Sequence, residues 1–237
     1  MLVLCVKSNM ICADRSDDRL IRQVSSCVMY VPEHFTENDK QEIARLVEEF
    51  PLATLVCFSG EEFIVNHIPM MLDKENQYIG HVAKANSLHE MFPEGTNSIA
   101  IFQAEDSYIS PNLYPTKLET HRHVPTWNYQ VVHIHGELNF RHSKKEKIET
   151  VGKLTKKYER TYFGEEEWKM ADAPRDYMEQ MIENIVAFRF DVTKVVAKSK
   201  ISQNRESKDF LSVKEAMDSS NKIYLENAMG RFVEDQD

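Results

Sequence analysis

Between Leu52 and Lys200 the sequence is dominated by a two-residue repeat. LATLVCF, EFIVNHIPMML, QYIGHVA, NSIAIFQAE, SYISP, THRHVPTWNYQVVHIHGELNF and NIVAFRFDVTKVVAK are rich in β-branched and aromatic residues and are separated by turn signals such as Ser59-Gly60. About seven strands follow one another without a helix after each. Parallel strands need a long crossover, usually helical, whereas antiparallel strands need only a turn. The pattern therefore selects a small antiparallel barrel with helical additions over a doubly wound sheet.

Helical spacing appears in a few places. FTENDKQEIARLVEEFP repeats Ile43, Leu46, Val47 and Phe50, with Thr36 and Asn38 as candidate N-caps and Pro51 ending the run. RHSKKEKIETVGKLTKKYERTYF puts Ile148, Val151, Leu154 and Tyr158 on one face, and PRDYMEQMIENI opens with Pro174 at a first-turn position. A short helical piece is expected near Ser87 to Met91. The domain is read as residues 29–210. An extension, 1–28, precedes it without regular patterning, and a polar, weakly helical tail, 211–237, follows.

Net charge excludes some functions. At −9 over 237 residues the chain does not coat DNA by charge alone. The segment from Arg141 to Arg160 is the exception: eight Lys/Arg against three Glu make it the candidate surface for DNA, or a solvated helix face. No apolar run reaches the roughly 20 residues that span a bilayer. Cys5, Cys12, Cys27 and Cys57 form no C-x-x-C pair, which suits a reducing, cytoplasmic setting.

HRHVPTWNYQVVHIHG holds four of the nine histidines. In a strand from Thr126, alternation places Trp127, Tyr129, Val131, His133 and His135 on one face and Asn128, Gln130, Val132 and Ile134 on the other. His133 and His135 would stand about 6.7 Å apart. That spacing suits two metal ligands or two histidines hydrogen-bonded in a half-buried sheet. A zinc site needs a third ligand, nothing fixes the direction of His121 or His123, and no metal is assigned. Trp-Asn-Tyr suits either a site that covers an aromatic ring or an aromatic core. In GHVAKANSL, Lys84 precedes a possible helix start at Asn86 and Ser87, which suits either a held phosphate or simply an exposed lysine at a strand end. KSKISQNR gathers Lys198, Lys200 and Arg205 around Ser202, Gln203 and Asn204. Cys57, in an apolar strand, reads as an inert buried thiol. Neither a Gly-x-Gly-x-x-Gly nor a Walker-type loop is present.

MYVPEHF, FPLATLV, NHIPMML, GHVAKANSL, YISPNLYPTK, VPTWNYQVVHIHGEL and KISQNR, in this order, resemble the PaiB-like family of FMN-binding negative transcriptional regulators, over about residues 29 to 210. The resemblance implies an α+β, mainly β fold: an antiparallel split β-barrel with peripheral helices, similar to the pyridoxamine-phosphate oxidase fold. It implies a homodimer with FMN at the interface: strands curled into a closed cylinder, and a slot between paired copies beside Lys84 and Trp127.

It also implies roles for individual residues. Lys84 would bind the phosphate, with Asn86 and Ser87 in the adjoining turn. Asn66 and His67 would face the flavin, and His81 and Gln103 would reach its ring or ribityl chain. Trp127, Asn128 and Tyr129 would cover the isoalloxazine from the same chain or from the partner subunit, and the Lys200, Gln203, Asn204, Arg205 loop would close the pocket. Two positions depart from the family pattern, Ser199 and Leu113, where members often carry an aromatic residue and Trp. Were either aromatic to pack on the flavin, its loss at about 1.4 kcal/mol would weaken binding tenfold. Beside a regulatory role stand a flavin-dependent oxidoreductase and a haem-binding relative with a histidine ligand.

Overall fold

The computed structural model describes residues 29–233. The 1–28 extension and the last residues of the expected tail lie outside the described residues. Among the described residues, one antiparallel sheet contains β1 (Thr36–Glu37), β2 (Leu52–Phe58), β3 (Phe63–Pro69), β4 (Met71–Leu72), β5 (Tyr78–Ala83), β6 (Thr96–Ile109), β7 (Thr126–Arg141) and β8 (Ile185–Lys200). The hydrogen-bonded order is β3-β2-β6-β7-β8-β5-β4, with β1 on β8. This is the α+β split barrel with peripheral helices.

The expected closed cylinder is corrected in one respect: the ladder does not return to itself. Its two ends, β3 and β4, are halves of one bent segment that pairs with β2 before Met70 and with β5 after it. At the bend, Met70 N–H leaves both ladders and donates to the Pro51 carbonyl at 2.9 Å. Gly80 of β5 permits the close passage of this segment. A Cβ there would stand 2.4 Å from Phe188 Cζ and 3.0 Å from the Pro69 carbonyl oxygen.

Long strands absorb what the sequence reading separates. NSIAIFQAE and SYISP are both parts of β6, joined through a register shift between Gln103 and Asp106. The polar Glu105-Asp106 pair imitates a strand end, but a bulge carries the ladder past it. Alternation in β7 holds: Asn128, Gln130, Val132, Ile134, Leu138 and Phe140 are buried. The core fills the barrel with Leu55, Phe102, Val132, Ile134, Leu138, Phe188 and Phe190.

Helix α1 (Lys40–Glu49) closes one side of the barrel, adding Leu46 and Val47 to that core. Its N-cap is Asp39, which accepts from Gln41 N–H at 2.8 Å, and neither Thr36 nor Asn38 fills that role. Thr36 is committed to β1, opposite Lys198. Two single-turn helices follow, α2 (Leu88–Met91) and α3 (Lys117–Thr120). Helix α4 (Lys144–Phe163) lies outside the sheet, with Leu154 and Tyr158 packed on Met71 and Ile79. Its buried face runs through Lys147, Thr150 and Leu154, leaving Ile148 at 42% exposure. The apolar stripe is thus narrower than Ile148-Val151-Leu154-Tyr158, and the stems of lysines complete it. Helix α5 (Arg175–Glu183) starts after Pro174.

The expected boundary at residue 210 falls inside α6 (Ser207–Ser219), which is followed by α7 (Ile223–Gly230). These helices bury Phe210, Val213, Met217, Leu225 and Met229 with Ile109, Tyr114 and Ile201 in a second core. The segment is not a peripheral polar tail. Phe210, Val213 and Met217 recur at helical spacing, a signal diluted by the charged residues around them. No helix among the described residues is long and apolar enough to cross a membrane.

Candidate functional site

The residues expected to hold a ligand fall into two groups at opposite ends of the longest strands. The first surrounds the end of β5. Lys84 N–H donates to the Asn184 carbonyl at 2.8 Å, just before β8 begins. Its side chain is exposed and makes no ion pair among the described residues. Asn86 Nδ2 donates to Asn66 Oδ1 at 2.7 Å, while Asn86 Oδ1 accepts from Leu88 N–H at 3.0 Å. This side chain ties the β5–α2 turn to β3 and occupies the first free amide of α2. Ser87 donates to Met91 Sδ at 3.4 Å. With only one turn in α2, the helix adds little field, so anion attraction here rests on Lys84 itself.

Asn66 and His67 do not share a face. Asn66 turns toward Asn86, while His67 stands opposite Thr54 on the outer surface, with its Nδ1 3.1 Å from Thr54 Oγ1. His81 shares the outer face of β5 with Ile79, beneath the helical layer, and its Nδ1 is buried without a hydrogen-bond partner. Burial holds its pKa below the usual histidine value. Gln103 is exposed and donates to Asp106 Oδ2 at 3.3 Å across the β6 bulge.

The second group sits where β7 begins and β8 ends. Lys200 Nζ donates to Thr126 Oγ1 and to the Trp127 carbonyl, both at 2.5 Å. Burial, and then Lys198 and Arg205, lower the Lys200 pKa. Trp127 and Tyr129 face outward, with Trp127 edge-on to Tyr108 at 5.8 Å. Asn128 faces inward, as alternation requires, and is fully buried. It accepts from Ser202 Oγ at 3.0 Å, and its Nδ2 has no partner. Trp127, Asn128 and Tyr129 therefore cannot cover one ring together from one face, because the strand turns the middle residue away. Asn128 instead lines a cavity of about 180 Å³ with Phe35, Thr126, Lys200, Asn204 and Arg205.

The turn after β8 is built from its own polar groups. Gln203 accepts from Ile201 N–H at 2.9 Å and donates to the Ser199 carbonyl at 2.5 Å, so its amide shapes the loop. Ser202 adopts a left-handed φ of 67°, uncommon for a residue with a side chain. Arg205 lies 4.8 Å from the Tyr114 ring centroid. Beneath it, Asp209 accepts from Thr116 N–H at 3.0 Å and Thr116 Oγ1 at 2.6 Å, and His123 Nε2 approaches Thr116 Oγ1 at 2.7 Å. This buried network, missed in the sequence reading, fixes the loop that carries Arg205. Its members are separated by 93 residues and share no motif.

The four histidines of HRHVPTWNYQVVHIHG disperse. His123 joins this network, His121 takes a left-handed position after α3, and His133 and His135 lie half-buried on the outer face of β7. Among the described residues no cluster of three or more His, Cys, Asp or Glu could hold a metal. Ser199 and Leu113 also face inward. Ser199 bonds Gln130 and Glu37 at 2.9 and 2.8 Å, and Leu113 packs against the second core. Neither departure opens onto the two groups from within this chain. Cys57 is buried, accepts from Ser98 Oγ at 3.1 Å, and has its pKa raised by burial.

A family model described as "Putative FMN-binding domain" matches residues 29–194. The Bacillus subtilis protease synthase and sporulation protein PAI 2 is 30% identical over 192 residues, covering 80% of this chain and 89% of that protein. Among solved structures, the flavocytochrome Anf3 from Azotobacter vinelandii superposes with a TM-score of 0.55 at 14% identity, over 73% of this chain and 74% of that one. The FAD and heme binding protein from Mycobacterium smegmatis gives 0.51 at 13% identity, over 70% and 73%. At these identities the structural likeness is one of fold.

FMN fits the donor set in kind. A free lysine beside two asparagines suits a phosphate, and the outward-facing aromatics of β7 suit one face of a flavin ring. Within one chain the two groups stand apart along the sheet. Lys84 adjoins the start of β8 and Lys200 ends it, roughly 50 Å apart along the strand path at about 3.3 Å per residue.

Proposed function

The chain belongs to the FMN-binding domain family matched above, and from that premise we propose a homodimeric flavoprotein with a regulatory role. Each flavin is held by the Lys84 group of one subunit and the Trp127–Arg205 group of its partner. One observation carries this reading: the two groups suited to the phosphate and the ring lie at opposite ends of β8. A two-fold axis that runs two such strands in opposite directions places one group beside the other.

The outer face of the sheet supplies the contact. Leu52, Phe58, Phe63 and Val65 are 59%, 50%, 70% and 52% exposed on adjoining strands β2 and β3. An apolar patch of this kind marks an interaction surface. Lys84 neutralises phosphate charge, Asn66 and Asn86 hold its turn rigid, and Trp127 and Tyr129 exclude water from one face of the ring. FMN supplies a redox-active isoalloxazine, which gives a regulator a signal to read.

Repression through direct DNA contact by α4 receives little support from its charges. Three cations of α4, Lys144, Lys153 and Lys157, pair with Glu179, Glu149 and Glu48 respectively. The proposed regulation therefore acts through a flavin-dependent contact with another molecule. Charge reversal at Lys145 and Lys156 leaves the salt slope of any DNA binding unchanged on this reading.

Mixing two variants tests the shared site. Lys84→Ala and Arg205→Ala homodimers each lose FMN affinity, because each damages both sites. In a hybrid of the two, one site carries both lesions and the other none. FMN absorbance then returns at one site per hybrid. Hybrids that bind no more FMN than their parents place both groups in one subunit and refute the proposal. Turnover of NAD(P)H by the FMN-loaded protein would favour an oxidoreductase instead.

A further inference from the structure

A cavity of about 590 Å³ is lined by none of the residues assigned to the flavin. It opens between β4 and the outer flank of α4, and its volume is that of a small-molecule site. Met71 and Leu72 form the floor, and the aliphatic stems of Lys153, Lys156 and Lys157 extend it. Lys74 and Arg160 complete a lining that carries five cations.

These five cations are not equivalent. Lys153 Nζ lies 2.7 Å from Glu149 and 3.7 Å from Asp73, and Lys157 lies 2.9 Å from Glu48. The Asp73 carboxylate, the one acidic group in the lining, is also occupied by the amides of Glu75 and Gln77 at 2.9 and 3.3 Å. Lys74, Lys156 and Arg160 make no ion pair among the described residues. Lys156 and Arg160 are four residues apart on one helix, so their side chains rise from neighbouring positions on one face. Three unpaired cations over an apolar floor repel one another unless an anion joins them.

We propose that this cavity binds a phosphorylated ligand with an apolar body, at a site separate from the flavin. The three free cations match a dianionic head better than a singly charged carboxylate, and the guanidinium fork of Arg160 suits two phosphoryl oxygens. The apolar floor takes an acyl or aryl body. Placement of the site on α4 explains why this helix is basic although most of its other cations are paired with carboxylates.

Calorimetric titration of the full chain, saturated with FMN, tests this with octyl phosphate, octanoate and octanol below their micellar concentrations. Octyl phosphate binds, octanoate binds at least tenfold more weakly, and octanol more weakly still. The double variant Lys156→Glu, Arg160→Glu loses at least tenfold in octyl phosphate affinity, with an unchanged circular dichroism spectrum and unchanged FMN binding. Leu72→Glu weakens the same probe from the floor side. Vesicles of phosphatidylcholine with phosphatidic acid separate two sources of the head group. Cosedimentation abolished by the double variant identifies a membrane lipid, and no cosedimentation identifies a soluble ligand. Equal affinity for all three probes, indifference to the double variant, or competition by FMN would each overturn the assignment. Because FMN binding is read separately, failure here leaves the shared flavin site standing, and the converse also holds.

Discussion

Asn86 and Asn66, twenty residues apart, are joined by a 2.7 Å hydrogen bond from Nδ2 to Oδ1, and the same Asn86 side chain caps α2 through Leu88 N–H. One amide thus anchors the Lys84 turn to the barrel wall. Asn86→Ala removes both bonds and costs about 1–3 kcal/mol, measured by urea denaturation. A double-mutant cycle with Asn66→Ala returns a coupling of at least 0.5 kcal/mol, as expected for residues in contact. FMN affinity falls in the same variants.

Asp209 is 1% exposed and accepts both the amide and the hydroxyl of Thr116. Asp209→Ala strands two buried donors and costs about 2–5 kcal/mol. Since the network sits under Tyr114 and Arg205, the flavin titration weakens as well. Asp209→Asn, which keeps one acceptor oxygen, recovers part of the stability.

Gly136 pairs with Val192 across the β7–β8 ladder, and a Cβ there would stand 2.4 Å from the carbonyl oxygen of the preceding Asp191. That atom belongs to the main chain and cannot swing aside. Gly136→Ala costs about 1–3 kcal/mol, read as a lower thermal midpoint. Gly152→Ala, on α4 with no contact nearer than 3.8 Å, is the neutral or stabilising control.

Burial lowers the pKa of His81, His133 and His135, with His135 and Lys194 adding to the shift of His133 and His135 respectively. Above an ordinary histidine pKa of about 6.5 both folded and unfolded chains carry these rings neutral, and pH has no leverage through them. Below it the unfolded chain binds protons that the folded chain resists, so stability falls with pH until the folded pKa values are passed. Denaturation midpoints taken across this window show the loss, and His81→Asn reduces it. If paired copies bury His133 and His135 further, sedimentation shows the dimer loosening over the same range.

Phe63→Glu with Val65→Glu puts charge in the exposed apolar face of β3. The expected product is a folded monomer by light scattering that fails to retain FMN. A monomer with intact FMN affinity contradicts a shared site.

Much of the barrel was legible because β alternation is a local signal that burial enforces along each strand. The inward set on β7 follows from period two alone. Less legible were features made by distant partners. Thr36 looked like a helix cap because nothing local shows its pairing with Lys198. Phe210, Val213 and Met217 looked peripheral because their second core needs Ile109 and Tyr114, a hundred residues upstream. For the site, residue chemistry pointed to phosphate and ring binding. Period two separates Asn128 from Trp127 in the sequence itself, and it separates Asn66 from His67 in the same way, against the common facing that the family resemblance implies. The basic cavity escaped because its lining joins four consecutive residues of β4 and its turn to one flank of α4.

The bend at Met70 makes β2 and β5 partners in fate although they share no ladder. Peeling either strand releases the same ten-residue strap, so the two should surrender amide protons to deuterium together, as one cooperative unit. Seam and hinge coincide: a single deleted residue there would invert the facing of every side chain on one half of the strap.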